Sequence, residues 1–439
     1  VPWQTAPVEL DPRGTVVGSV VDMAGIARAK VMPVARLSTF VESGAGASPC
    51  WNVFCVDDHI AFTPTLSVVG DLRLRIDAAD LRDLGGGTYW APADLVDQDG
   101  SPWPACPRHT LRRTTQRLTA AGIEARVGHE VEFTLFDALD PQEWSAYGLN
   151  AALRKETFIR DLLDAAATAG LTIEQVHAEY GLNQYEISLG PDDPIAAADN
   201  AVLARILVSR VARTHDLRAS FAPVPVAGGA GNGAHHHISL HRGDQPMFSG
   251  GSGPHALTVA GAHAVAGILA ALPDFVLVLA GSALSHLRLQ PNTWGGAYTC
   301  WGLENREAAV RLCADTPGNP RGAHIEVKPV DPSANPYLAG AVVLGAALAG
   351  IDGELPLPPE VTVNPSLLPD GERTAAGVAL LPSLPADLLG RLQASSLAGD
   401  LFEPLLLEAL LAVKGYELSE YGRKPPAEVA QRLRFAWTM

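Results

Sequence analysis

Apolar and polar positions alternate in short runs along the first hundred residues and again in four polar-faced runs further on, and both patterns predict strands. Thr15–Val21 is rich in β-branched residues, Asp22-Met23-Ala24-Gly25 supplies turn chemistry, and residues 26–32 return, so residues 14–33 read as a hairpin. A further short strand is expected around Gly70-Asp71-Leu72-Arg73-Leu74. The run Ser101-Pro102-Trp103-Pro104-Ala105-Cys106-Pro107 is dense in proline and marks a linker. It places a boundary near residue 105, between a small β-rich domain (1–105) and a larger one (106–439). Beyond it, helical periodicity covers residues 108–121, 155–169 and 196–215, the second closed by Gly170. Residues 256–272 and 336–348 read as small-residue helices that pack closely, and no repeat of solenoid period is present.

The four polar-faced runs concentrate the chemistry. Strand alternation puts Glu130 and Glu132 on one face and Val131, Phe133 and Leu135 on the other. Gln184, Glu186 and Ser188 oppose Tyr185, Ile187 and Leu189 in the same way. His235, His237 and Ser239 share a face, and so do His324, Glu326 and Lys328. His236 falls on the apolar side, where a core histidine is the simpler reading than a ligand. Each run alone is also what a solvated face of an antiparallel sheet looks like. If the four strands are neighbours, however, one face carries Glu130, Glu132, Glu186, Glu326 and His235, with Glu179 just upstream. So many carboxylates cannot stay ionised together without cations, because like charges and desolvation both raise their pKa. Oxygen donors with one imidazole and no thiolate select magnesium or manganese over zinc.

Composition narrows the classes further. At 439 residues with a net charge of −16, the chain lacks the clustered Lys and Arg that nucleic acid requires, while an acidic protein can still bind ATP through metal ions. The 5 cysteines form no Cys-x-x-Cys pair, which fits a reducing cytoplasm. The opening Val1-Pro2-Trp3 gives no basic and apolar leader, so no secretory signal is expected. The apolar stretch 257–284 contains His263 and is expected to break at Pro273-Asp274, which favours core helices over a membrane span.

These residues lie in motifs that resemble the glutamine synthetase superfamily, in order, over roughly residues 15–420. They are Gly128-His129-Glu130-Val131-Glu132-Phe133; His177-Ala178-Glu179 through Gln184-Tyr185-Glu186; Gly231-Asn232-Gly233-Ala234-His235-His236-His237; Asn305-Arg306 with Arg311; and Ile325-Glu326-Val327 leading to Asp331-Pro332-Ser333-Ala334-Asn335-Pro336-Tyr337-Leu338. The resemblance implies an α+β chain, with an N-terminal β-grasp domain and a C-terminal catalytic domain whose curved antiparallel sheet is flanked by helices. It implies ATP as co-substrate and two or more Mg²⁺ or Mn²⁺ ions, one held by Glu132, Glu179 and Glu186 and another by Glu130, His235 and Glu326. It places Glu174, His237 and Ser239 near the nucleotide and Arg306, Arg311 and Arg321 near its phosphates. Arg288, with Gly231, Trp294 and Lys328, falls in the substrate site, and Arg288, Arg306 and Lys328 carry the catalytic positive charge. Homo-oligomeric rings, hexameric or dodecameric, with active sites between subunits, are implied as well. The chemistry agrees: a carboxylate attacking a γ-phosphorus needs cations to neutralise the charge, and the acyl phosphate formed needs shielding from water, for which residues 227–233 are a candidate loop.

Departures from the family pattern shape the expected substrate. Ammonia-using members carry a glutamate in a Pro-Gly-Tyr-Glu-Ala-Pro stretch, whereas Pro291-Asn292-Thr293-Trp294-Gly295-Gly296-Ala297 has no carboxylate. The chain resembles instead the offshoots that make γ-glutamyl amides from polyamines, ethanolamine or other organic amines. Trp294 reads equally as a wall for such an amine or as a packing residue. Asp57-Asp58 reads as a cation-binding pair offered to a neighbouring subunit or as an exposed turn. Lys328 stands in place of an arginine, Ala230 in place of an asparagine, and Val224 in place of a lysine, and no counterpart of an adenylylated tyrosine is found. The expectation is an ATP-dependent carboxylate–amine ligase acting on glutamate and an organic amine. The alternatives are ammonia as nucleophile, another acid as substrate, a non-catalytic binding protein, and a Mg²⁺-dependent phosphohydrolase.

Overall fold

The computed structural model describes residues 9–137 and 144–439, which form an α+β structure with two sheets. The first sheet holds β1 (Thr15–Val21), β2 (Ala27–Pro33), β3 (Ala45–Ala47), β4 (Leu72–Ile76), β5 (Arg82–Asp83) and β6 (Thr88–Val96), in the order β2-β1-β6-β4-β3 with β5 on β6. The expected hairpin is β1–β2, closed by Val21 opposite Ala27. Asp22 builds the turn, its Oδ1 accepting the N–H groups of Ala24 and Ile26 at 2.9 Å each. Gly25 sits at φ +81°, and a Cβ there would lie 2.4 Å from the Ser333 carbonyl oxygen, so the turn docks directly on the larger body. Val16, Val20, Phe40, Leu72, Leu74 and Ile76 fill this sheet's own core.

The proline-rich stretch is packed rather than loose, for Pro102 bridges to Val96 and Pro107 opens the Pro107–Ala120 helix at its first turn, where a missing N–H costs nothing. The second sheet follows: β7 (Glu124–Phe136), β8 (Ile173–Ala178), β9 (Gln184–Leu189), β10 (Arg218–Ser220), β11 (His236–Arg242), β12 (Gln245–Pro246), β13 (Tyr298–Leu303), β14 (Ala308–Cys313) and β15 (His324–Val327). Its order is β13-β14-β15-β11-β7-β9-β8. β7 is long enough to pair twice, antiparallel to β11 along its first half and to β9 along its second.

One face of this sheet is apolar. Val127, Val131, Phe133, Tyr185, Ile187, Ile238, Ile325 and Val327 are each at most 3% exposed, and each such burial stabilises by roughly 1.5–3 kcal/mol. They belong to one core with the Pro194–Thr214, Val259–Leu279 and Pro336–Asp352 helices. The last two cross closely because Gly267 faces Gly350; a Cβ on Gly267 would lie 2.3 Å from the Ala346 carbonyl oxygen. The break expected at Pro273-Asp274 does not occur, since the helix runs on to Leu279 with Pro273 inside. Burial of Phe275, Val276, Leu277, Val278 and Leu279 offsets the one backbone hydrogen bond that the proline removes. This helix has the length and apolarity to cross a membrane, yet 72% of its most apolar stretch is buried inside the fold. Asn335 caps the Pro336–Asp352 helix, its Oδ1 accepting from Tyr337 and Leu338, while its Nδ2 donates to the carbonyls of Val21 (2.9 Å) and Asp22 (3.1 Å).

Candidate active site

Register brings the polar runs onto the face opposite that core. Arg311 stands opposite Glu326, Glu326 opposite His237, and His237 opposite Gly128, so one row crosses β14, β15, β11 and β7. A second row runs Glu132, Glu186, His177 across β7, β9 and β8. Two residues along β7 from Gly128, Glu130 joins the first row diagonally. The backbone of residues 233–235 extends the pairing, with Glu130 N–H donating to His235 O (3.1 Å) and Glu132 N–H to Gly233 O (3.0 Å).

The side chains form two clusters. Donor atoms of Glu130, His237 and Glu326 lie within 4.8 Å of one another, and so do those of His177, Glu179 and Glu186. His237 Nε2 is 3.3 Å from Glu130 Oε1, and His235 Nε2 is 3.3 Å from Glu132 Oε1. His177 Nε2 is 2.9 Å from Glu179 Oε1, and Gln184 Nε2 donates to Glu132 Oε2 at 2.8 Å. His237 stands beside Glu130 and Glu326, His235 lies against Glu132 and also acts on the Glu130 and Glu326 carboxyls, and His177 joins Glu179 and Glu186.

Electrostatics explain why this donor set fits dications. Burial, then Glu130, Glu132 and Glu179, push the Glu186 carboxyl well above the usual range. Burial also works to raise Glu326, but Lys328 at 2.8 Å and the histidines outweigh it and hold that carboxyl well below the usual range. Divalent ions would supply the same neutralisation to the whole face, and buried oxygen and imidazole donors without thiolate suit Mg²⁺ or Mn²⁺.

Gly233 marks where the clusters meet the substrate side. A Cβ there would lie 2.7 Å from Glu132 Oε1, 2.7 Å from His235 Nε2 and 2.8 Å from Arg288 Nη2. The three groups thus converge on space that only glycine leaves free. Arg288 is 6% exposed, donates from Nη2 to the Lys328 carbonyl (3.2 Å), and has no partner for Nη1 among the described residues. Gly231 accepts from Gln184 Nε2 through its carbonyl (2.8 Å), and Lys328 is 4% exposed.

The remaining candidates are spread wider. Arg311 reaches Glu326 (3.3 Å) but is also held by Glu304. Ser239 is half-buried on β11 beside Arg126 of β7. Arg306 is exposed in the β13–β14 turn, Arg321 donates to the Asp244 carbonyl (2.7 Å), and Glu174 is exposed at an irregularity in β8. Asp57 accepts from Tyr421 (2.7 Å) and Tyr416 (3.2 Å) of its own chain, and Asp58 pairs with Arg28. Trp294 is 49% exposed at φ +56°. Sequence reasoning missed Tyr147, whose hydroxyl donates to Glu179 Oε2 at 3.0 Å and whose ring stacks on His177. No periodicity marks a loop tyrosine, whereas His177 was detectable from its alternation with Ala178.

A sheet that is antiparallel except for its β13–β14 pair and gathers carboxylates, imidazoles and a buried arginine on one face is the architecture of ATP-dependent ligases that form amide bonds. The family model "Glutamine synthetase, catalytic domain" matches residues 104–432, and the chain belongs to the glutamine synthetase family. It is 40% identical over 411 residues to a γ-glutamylpolyamine synthetase of Streptomyces coelicolor, covering 91% of this chain and 88% of that one. To a glutamine synthetase of Pyrococcus horikoshii it is 32% identical over 386 residues, covering 85% and 82%. A crystal structure of a novel glutamine synthase homolog superposes with a TM-score of 0.88 at 33% identity, over 98% of this chain and 100% of that one.

Proposed function

We propose that this enzyme phosphorylates the γ-carboxyl of glutamate with ATP and joins the acyl phosphate to an organic amine. The observation that carries the choice of amine is the loop 291–297. It holds no carboxylate, and the nearby Glu307 is 5% exposed and occupied by the N–H groups of Trp294 (2.9 Å) and Asn292 (3.2 Å). Trp294 then offers an apolar wall where ammonia-using relatives place an acid. The Streptomyces relative, named for polyamine substrates, supports the same reading.

In this reading Arg288 grips the substrate carboxylate with its unpartnered guanidinium edge, and Gly231 and Gly233 leave room for it. Glu132, Glu179 and Glu186, with His177, would hold one ion, and Glu130, Glu326 and one of His235 or His237 another; bound ions supply charge neutralisation at the triphosphate. Lys328 and Arg311 add positive charge beside Glu326, while Ser239, Glu174, Arg306 and Arg321 border the nucleotide. The γ-carboxylate oxygen attacks the γ-phosphorus and ADP leaves. The amine nitrogen then attacks the acyl carbon, and phosphate departs carrying the proton that the amine gives up, while Tyr147 holds Glu179 in place for its ion. Residues 227–233 exclude water.

The boundary near residue 105 is retained, and a family match beginning at residue 104 supports it. The N-terminal segment is read as the β-grasp domain of a cytoplasmic homo-oligomeric ring, its exposed Phe62, Val68 and Val69 facing a neighbouring subunit.

The test is ADP release with Mg²⁺, ATP and glutamate across ammonium, ethanolamine, diamines, polyamines and alkylamines, with the product weighed by mass spectrometry. Release that requires one organic amine and yields its γ-glutamyl amide is expected. Best turnover with ammonium, or release without any amine, would overturn the reading in favour of a glutamine synthetase or a phosphohydrolase.

A further inference from the structure

Behind the carboxylate face, on the core side of the same strands, lies a cavity of about 30 Å³. His129 of β7, His236 of β11, Arg205 and Ala201 of the Pro194–Thr214 helix, and Asp331 line it. Four of its polar lining residues are nearly sealed from solvent, Asp331 at 0% exposed, His236 at 2%, His129 at 4% and Arg205 at 4%, and the half-buried Glu130 lines it as well. One atom of each, His129 Nε2, His236 Nδ1, Arg205 Nε and Asp331 Oδ2, has no hydrogen-bond partner among the described residues.

The rest of these side chains is well anchored. Arg205 Nη2 donates to the Trp437 carbonyl at 2.7 Å. Asp331 Oδ1 accepts from the Ser333 N–H (3.0 Å) and hydroxyl (2.5 Å), and its carboxyl also feels Arg288 and the Ser285 hydroxyl. The two imidazoles meet edge to face at 4.4 Å. A buried donor or acceptor left unmade costs about 1–3 kcal/mol, so four on residues that line one void are not accounted for by the described residues alone.

We propose that this cavity is a built site for ordered water, one or two molecules bridging His129, His236, Arg205 and Asp331. A volume of about 10–15 Å³ suffices for one water, and a water needs 2–4 polar partners, so both size and lining agree. The mixed set of groups selects a neutral amphoteric guest. An anion would be repelled by the Asp331 carboxylate, a cation by the Arg205 guanidinium, and an apolar guest would leave all four atoms unmade. Water donates to Asp331 Oδ2 and to an unprotonated imidazole nitrogen while accepting from Arg205 Nε. The bridge would tie the helix, both central strands and the Asp331 segment together directly behind Glu130 and His235. It is independent of the reaction assigned above.

A crystal structure at a resolution that resolves solvent is the direct test, with a bromide soak as the anomalous probe. Density within hydrogen-bond reach of the four atoms and without bromide signal is expected; an empty cavity or a bromide peak would overturn the proposal. Ala201→Val, compared with Ala196→Val in the same helix, gives a second and opposite-signed readout. Filling a dry void stabilises, whereas expelling bound water strands four polar atoms. We expect Ala201→Val to lower Tm by about 1–3 °C more than its control, and a rise would contradict water. If Ala201→Val does not fold, the density alone decides.

Discussion

The carboxylate of Glu307 accepts the backbone N–H of Trp294 at 2.9 Å, so this acid beside the loop 291–297 holds that loop in shape. It also accepts from Asn292 at 3.2 Å. Glu307→Ala is expected to free the loop and raise the amine KM by about tenfold, equivalent to about 1.4 kcal/mol, while the glutamate KM changes little. Trp294→Ala should weaken bulky amines more than ammonium. Steady-state kinetics with each amine checks both, and equal losses for all amines would remove Trp294 from the amine site.

Lys328, Arg311 and the Glu130–His237 pair all surround Glu326. Glu326→Ala is expected to cut turnover at least a hundredfold, about 2.7 kcal/mol or more in the barrier, and to weaken Mn²⁺ binding by calorimetry, while circular dichroism stays native. Normal turnover in this variant would contradict the metal role.

Asn335 caps one helix with its oxygen and holds the β1–β2 turn with its nitrogen. Asn335→Ala should therefore lose about 1 kcal/mol from the cap and roughly 1–3 kcal/mol from the stranded carbonyls of Val21 and Asp22. Asn335→Ser keeps a capping oxygen and loses only the second contribution. Denaturant unfolding of both variants separates the two: no loss in the variant that keeps the cap would show that the turn contact contributes nothing, and identical losses would show that the cap contributes nothing.

Burial holds the His129 imidazole at a pKa of about 3, against 6.5 when exposed. Between those values the unfolded chain binds the extra proton, so stability rises with pH across that window and is lost progressively as pH falls below about 6.5. Denaturant midpoints from pH 6.5 to 4 should fall in the parent chain and fall less steeply in His129→Gln. An unchanged slope in that variant would mean that the histidine is protonated in the fold.

Alternation was enough to assign Glu130 and Glu132 to one face and Val131 and Phe133 to the other, because a strand's side-chain period is two whatever its neighbours are. The same rule sent His236 to the core, and the motifs identified the family. Helix extents were legible where caps were local, as at Asn335. Pro273 misled, because a local breaker was outweighed by five buried apolar residues that sequence distance hides.

What the chain alone determined is which side chains face together along each strand and what metal and nucleotide chemistry they could serve. Pairing across strands, set by long-range hydrogen bonds, gathered His237 with Glu130 and Glu326, brought Tyr147 from a loop to Glu179, and enclosed four polar atoms behind the sheet. Short-range periodicity carries direction but no distance, and only packing brings residues a hundred positions apart within a hydrogen bond of one another.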